Sequence, residues 1–341
     1  MDTVLLTGIT GFLGGHIAIE LLNSGYHVRG SLRNPGTDGE RAQAVRQSLE
    51  AAGADTSQLE FVTLDLLKDQ GWDQAAEGVR YVMHVASPFV TSMPKDPDVL
   101  VKPAVAGTER ALNAAVKAGV ERVVLTSSTV AIVQGRGPGR PARLGPDDWP
   151  DPDEGRLSAY ALSKNLAERR AWEMAGETGL DLAVINPGFI IGPLLDDDPG
   201  TSGAVLQRLL RGDMPMVPRL HMHLVDVRDL ARIHVAALSA PEAVNKRHPA
   251  AFSAASLKEI SAIMSEAAPA YAKKLPSRQA PDFLVRLIAL FDGDIRSNLN
   301  ELGYAPALDA SRAANLLGCA PRAAGETIGD MTRSLISRGL V

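Results

Sequence analysis

At 341 residues the chain exceeds the length at which one compact core stops growing, and its 45% hydrophobic content supports a large domain with a smaller partner. A formal charge of −5 and an isoelectric point near 5.8 exclude a binder that works by neutralising nucleic-acid phosphates. The single cysteine, Cys319, excludes an intramolecular disulfide framework and a multi-cysteine zinc site, so the expected compartment is reducing.

Short apolar runs alternate with helical patterns from the start. Val4 to Thr7 reads as a strand, Gly14 to Ser24 as a helix ended by Gly25, and His27 to Leu32 as a second strand. A polar helix is expected over Gly39 to Ala52, strands over Leu59 to Leu64 and Tyr81 to Ala86, a helix over Val101 to Ala118 and a strand over Val123 to Ser127. A helix over Ala159 to Thr178 and a strand over Asp181 to Asn186 complete the series. Near-continuously apolar strands separated by helices predict an α/β fold, a doubly wound parallel sheet covered on both faces.

Beyond Pro187, Gly192-Pro193, the acidic run Asp196 to Asp198, Pro199-Gly200, Met214-Pro215 and Val217-Pro218 predict loops and short helices over the strand ends. Val225 to Ala237 is expected to return to the first domain. With no leader and no run of about 18 apolar residues, a soluble cytoplasmic protein is expected.

The turn Gly8-Ile9-Thr10-Gly11-Phe12-Leu13-Gly14 joins the first strand to the first helix. Its Gly-x-x-Gly-x-x-Gly spacing is a variant of the dinucleotide fingerprint, in which glycines admit the pyrophosphate to a helix N-terminus. The sheet is therefore expected to be Rossmann-type, with residues 1–188 plus about 225–240 as the dinucleotide domain. Residues of about 189–224 and 241–341 form the expected smaller, discontinuous α+β substrate domain. The second strand ends Val28-Arg29-Gly30-Ser31-Leu32-Arg33-Asn34, without the acid that would hold the ribose diol of NAD. Arg33 suits the 2′-phosphate, so NADPH is expected over NADH. Further strand ends, Asp65-Leu66, the run Val85, Ala86, Ser87 and Thr126, are placed to line the same cofactor, although Asp65 serves equally as a cap for the next helix.

Tyr160 and Lys164 are four apart on one face of a predicted helix, which suits a phenol acting as a proton relay beside a cation. A hydroxyl from Ser128 is expected to hold a carbonyl oxygen together with Tyr160. The chemistry this implies is hydride delivery to a carbonyl carbon with protonation of its oxygen by Tyr160. His221 and His223 alternate without a supporting cluster, and no metal is expected.

The glycine turn, Asp65-Leu66, Ala86-Ser87-Pro88, Thr126-Ser127-Ser128, Tyr160-x-x-x-Lys164 and Asn186-Pro187-Gly188 together resemble the extended short-chain dehydrogenase/reductases over essentially the whole chain. The nearest likeness is to the dihydroflavonol reductase, cinnamoyl-CoA reductase and aldehyde/ketone reductase branch. This resemblance implies Ser128, Tyr160 and Lys164 as catalytic residues, with Lys164 also on the nicotinamide ribose. Pro187, Gly188 and Ile190 are then placed beside the nicotinamide, and the C-terminal half takes the substrate. Phe89, Met93, Met214 and Met222, with Val90, Met216 and Phe283, are candidate walls for an apolar or aromatic carbonyl, although such residues are equally core. The expected partner is thus a small molecule, with neither nucleic acid nor membrane, acting on a monomer or homodimer. The leading expectation is an NADPH-dependent aldehyde or ketone reductase. The alternatives are a hydroxysteroid dehydrogenase, a sugar-nucleotide epimerase or dehydratase, and a dinucleotide sensor without turnover.

Overall fold

The computed structural model describes residues 1–34, 39–88, 94, 96–136, 139–154 and 157–341. The first half runs β1 (Thr3–Thr7), α1 (Phe12–Asn23), β2 (His27–Leu32), α2 (Glu40–Ala51), β3 (Leu59–Thr63), α3 (Trp72–Ala76), β4 (Tyr81–His84), α4 (Asp98–Ala118) and β5 (Arg122–Thr126). The short helix α5 (Val130–Val133) and β6 (Arg143–Leu144) lead to α6 (Ala159–Thr178) and β7 (Asp181–Pro187). Then come β8 (Phe189–Ile191), α7 (Gly200–Arg211), β9 (His221–Asp226), α8 (Val227–Ser239), β10 (Lys246–Ala250), β11 (Ser253–Ser256) and α9 (Leu257–Ala267). The chain closes with α10 (Asp282–Ile288), α11 (Gly293–Ser297), β12 (Ala307–Leu308), α12 (Ser311–Leu317) and α13 (Ala324–Ser337).

Seven strands form one sheet in the order β10-β7-β5-β4-β1-β2-β3, and every pairing in it is parallel. Because side chains alternate across a strand, each strand supplies two cores. Val4, Leu6, Val28, Met83 and Val124 pack with Ile17, Leu21, Leu230 and Ile233 from α1 and α8. Leu5, Val82, Val123 and Val184 pack with Leu112, Ala115, Ala171 and Met174 from α4 and α6. Full burial of each such side chain contributes about 1.5–3 kcal/mol.

The strand order reverses at β1, between β4 and β2, which opens a crevice beyond the carboxyl ends of those strands. A smaller unit covers that end. Its three strands, in the order β11-β9-β8, pack with α7, α9 and α13 through Leu206, Leu210, Leu224, Ile260, Ile328 and Met331. The irregularity expected beyond Pro187 is corrected here: α7 has 12 residues, α8 has 13 and α13 has 14. Pro199-Gly200, read as loop punctuation, starts α7 instead, since Pro and Gly mark helix ends as well as loops. Helix α8 packs on α1. Strand β10, within the stretch assigned by sequence to the substrate unit, pairs with β7 as the edge of the large sheet. Among the described residues, no helix is long and apolar enough to cross a membrane.

Candidate active site

The glycine turn is shaped by close packing at two of its three glycines. Gly8 has φ +78°, and a Cβ there would lie 2.9 Å from the Ala86 amide nitrogen. A Cβ on Gly14 would lie 2.0 Å from the Gly8 carbonyl, so α1 approaches β1 only with glycine at that point. Gly11 differs. Its φ of −87° is open to any residue, and an added Cβ would meet only the Gly8 carbonyl, at 3.4 Å. Among the described residues nothing requires a glycine at 11, and its open side leaves room for close backbone approach by a ligand. Gly11 is the N-cap of α1, which has no side-chain cap and no acid in its first turn. Its free amides and dipole suit an anion, so these residues fit a dinucleotide pyrophosphate.

Thr7, at the end of β1, fixes the neighbouring strand end. Its hydroxyl oxygen accepts from the amides of Val85 and Ala86, both at 3.1 Å, so its own proton goes to His84 Nδ1 at 3.0 Å. Burial pushes His84 down to about 3, and Lys164 adds to that shift, so the ring is neutral. Thr126 is held likewise at 2.9 Å from Nε2 of His234, whose Nδ1 lies 2.8 Å from the Leu230 carbonyl.

Helix α6 begins at Ser158, whose hydroxyl accepts from the Ala161 amide at 3.2 Å, and this cap presents Tyr160 in the first turn. Burial raises the Tyr160 phenol above its ordinary value, and the neighbouring Ser128 hydroxyl pulls it part of the way back. The residue as a whole is 37% exposed, so it is anchored at the hydroxyl end and open along the ring. Ser128 is buried, lies 3.5 Å from the Pro187 carbonyl and accepts from the Val130 amide at 3.3 Å. One turn along α6, Lys164 is also buried and donates to the Thr126 carbonyl at 3.3 Å. Burial pushes its ammonium down to about 8, opposed by the Glu168 carboxylate. Ser128, Tyr160 and Lys164 thus meet at the ends of β5 and β7.

Sequence reasoning missed the groups that hold this arrangement. Glu168 is 1% exposed and accepts from Ser127 Oγ (2.6 Å), Asn186 Nδ2 (2.9 Å), Trp172 Nε1 (3.3 Å) and Arg247 Nε (2.6 Å). Arg247 also donates to the carbonyls of Pro146, Asp148 and Ala131 and lies over the Trp149 ring at 3.7 Å. The signal was present: Glu168 stands one more i+4 step beyond Tyr160 and Lys164. Glu168 and Lys164 line one cleft with Leu66, His84, Ala86, Ser87, Thr108 and Thr126.

The remaining predicted positions divide. Arg33 is exposed at the end of β2 and makes no hydrogen bond or ion pair among the described residues. Arg29 is consumed by Glu60 at 2.5 Å and by the carbonyls of Ala75 and Glu77. Asp65 accepts from the Leu67 amide at 3.0 Å in a local turn and does not cap the next helix, α3, whose N-cap is Gly71. At Gly188 a Cβ would lie 2.2 Å from the His223 carbonyl, so packing alone demands that glycine. Pro187 is buried at the end of β7, Ile190 and Phe12 pack partly buried against the main core, and Leu13 is buried within it. Thr10 lines a second cleft with Gly11, Ser48 and Asp196. Met214 and Met222 pack against the core of the smaller unit, while Phe283 is 74% exposed. Phe89, Val90 and Met93 lie outside the described residues. His223 belongs to no metal-binding cluster among the described residues, and its Nε2 lies 2.8 Å from the Pro306 carbonyl.

Residues 4–252 match the NAD dependent epimerase/dehydratase family. The chain is similar to cinnamoyl-CoA reductase 1 of Petunia hybrida, 37% identical over 246 residues that cover 71% of this chain and 70% of that one. It is also similar to tetraketide alpha-pyrone reductase 2 of Arabidopsis thaliana, 33% identical over 250 residues covering 71% and 76% of the two chains. Yeast methylglyoxal/isovaleraldehyde reductase, solved in complex with NADPH, superposes with a TM-score of 0.80 at 25% identity over 99% of this chain and 100% of that one. With its parallel sheet, glycine turn and hydroxyl pair, the chain belongs to the NAD dependent epimerase/dehydratase family and, within it, to the reductase branch of the extended short-chain dehydrogenase/reductases.

Proposed function

We propose that this oxidoreductase reduces an aldehyde or ketone to the alcohol, with NADPH as cofactor and Tyr160 as proton donor. The observation that carries the reading is the convergence of buried Ser128 and Lys164 with Tyr160 at the ends of β5 and β7. When bound, NADPH supplies the hydride. The uncapped start of α1 and the open side of Gly11 hold its pyrophosphate, and Arg33 holds its 2′-phosphate. Ser128 and Tyr160 hydrogen-bond the carbonyl oxygen, which polarises the carbon. Burial keeps Tyr160 protonated at neutral pH, so its proton is in place to pass from Oη to the oxygen as negative charge develops there. Lys164 offsets the charge left on the phenolate. The smaller unit, which lies over the carboxyl ends of the strands, takes the substrate, an apolar or aromatic carbonyl.

Loss of reduced-nicotinamide absorbance at about 340 nm, with NADPH and NADH compared across aromatic aldehydes, aliphatic ketones and diketones, tests the reading. NADPH-selective turnover that vanishes in Tyr160→Phe and shifts toward NADH in Arg33→Asp is expected. Tight NADPH binding without turnover on any carbonyl overturns it, as does full activity in Tyr160→Phe.

A further inference from the structure

We infer that Gln134 is a positioning residue for the reduction: its side-chain oxygen clamps the start of α6 to the end of α5 and thereby holds Tyr160 in register with Ser128. The inference rests on the proton-donor reading of Tyr160. Gln134 is 6% exposed and is the C-cap of α5, the short helix that starts two residues after Ser128. Its Oε1 accepts two hydrogen bonds from one residue, the Ser158 amide at 3.0 Å and the Ser158 hydroxyl at 2.6 Å. That hydroxyl accepts in turn from the Ala161 amide at 3.2 Å and caps α6 two residues before Tyr160.

The two reacting hydroxyls lie far apart in sequence, with residues 135–157 between the clamped ends. Ser128 is fixed between the Pro187 carbonyl at the end of β7 and the Val130 amide at the start of α5. Among the described residues the Tyr160 hydroxyl has no such tether, and the residue is 37% exposed. The position of its Oη therefore depends on the placement of the first turn of α6. Gln134 closes the excursion at its base and joins the two elements by side-chain bonds alone. A buried amide oxygen that serves both the amide and the cap hydroxyl of one helix start does more than fill space. An apolar side chain of the same length would leave the half-buried Ser158 amide without its acceptor and the Ser158 hydroxyl with no partner for its proton.

The test uses the full chain and compares Gln134→Met, Gln134→Glu and Tyr160→Phe for kcat, carbonyl KM, NADPH affinity by fluorescence titration, and thermal midpoint. Gln134→Met is expected to lower kcat by about tenfold to a hundredfold, as misplaced reacting groups do, with NADPH affinity unchanged. Gln134→Glu, which keeps an acceptor at a helix N-terminus, is expected to restore most of that loss. Wild-type kcat in Gln134→Met alongside an inactive Tyr160→Phe overturns the clamp and leaves the proton-donor reading standing. Equal losses in Met and Glu variants, or a loss of NADPH affinity that matches the loss of kcat, also overturn it. Full turnover in Tyr160→Phe instead overturns the proton-donor reading and the clamp with it. Should Gln134→Met fail to fold, Ser158→Ala removes the hydroxyl from the same junction and is expected to lower kcat in the same way; unchanged kcat there counts against the clamp.

Discussion

The Ser127 hydroxyl donates to the buried Glu168 carboxylate at 2.6 Å, and this bond separates two serines that sequence places side by side. Ser127 is bound into the framework, and Ser128 is left facing Tyr160. Ser128→Ala is therefore expected to lower kcat by about a hundredfold with little change in thermal midpoint. Ser127→Ala should do the reverse, costing about 1–3 kcal/mol of stability through the bond lost to a buried charge, with a far smaller loss of turnover. Steady-state kinetics and urea unfolding on the same preparations check this, and a larger kinetic effect at Ser127 would reverse the assignment.

Two glycines of one turn should fail in different ways. A Cβ at Gly14 has no room beside the Gly8 carbonyl, so Gly14→Ala should destabilise the protein by more than about 1 kcal/mol, as overpacking does. Gly11→Ala meets nothing but that carbonyl at 3.4 Å, so the ligand-free protein should keep its stability while NADPH binding weakens. Thermal melts with and without NADPH separate the two effects. An unchanged NADPH-induced stabilisation in Gly11→Ala would remove the pyrophosphate from this turn.

Acid should weaken the fold well before the carboxylates titrate. Burial lowers His84 to about 3 and His16 and His234 to about 4. Each ring is neutral when folded and takes up a proton on unfolding between the ordinary value of about 6.5 and its folded value. Their stabilising contribution is thus fully present above pH 6.5 and is lost as pH falls through that window. Each histidine should add up to about 1.4 kcal/mol per pH unit to the slope of unfolding free energy. Urea titrations from pH 7.5 to 5 measure the slope, and His234→Gln should reduce it. A flat profile would show that these rings are already protonated or exposed.

Removing one partner of a buried ion pair is costlier than removing both. Arg247→Met leaves Glu168 as a charge in the interior and should cost about 3–5 kcal/mol. The double variant with Glu168→Met should recover much of that loss in denaturant melts. A double variant no more stable than Arg247→Met would mean that the Trp149 and carbonyl contacts, rather than the charge pair, carry the energy.

The first six strands of the large sheet were legible because most are runs of apolar residues, and the longer helices between them because they are periodic, whereas the five-residue α3 was not foreseen. The helix over Ala159–Thr178 and the strand over His27–Leu32 match their expected bounds. Strand β10 was not legible. Its sequence, Lys-Arg-His-Pro-Ala, is an edge strand with three polar residues, and Arg247 is buried against Glu168, a partner distant in the chain. The hydroxyl, amine and glycine positions could be read because their chemistry is local in sequence. Glu168 showed only as a further i+4 step, and Gln134 not at all, since their significance lies in what they bond to: Arg247 is 79 residues from one, and Ser158 is 24 from the other.

That separation sets an order of events during synthesis. Glu168 leaves the ribosome 79 residues ahead of the cation that neutralises it, so the interior of the nascent sheet holds an unmatched carboxylate until β10 emerges. A charge of this kind is costly to bury unpaired, so closing α6 over the ends of β5 and β7 becomes favourable only with Arg247 in place. Docking of the last edge strand therefore supplies the countercharge that allows this region to be buried. A chain truncated before Lys246 would carry every glycine, hydroxyl and amine of the site and still lack that countercharge.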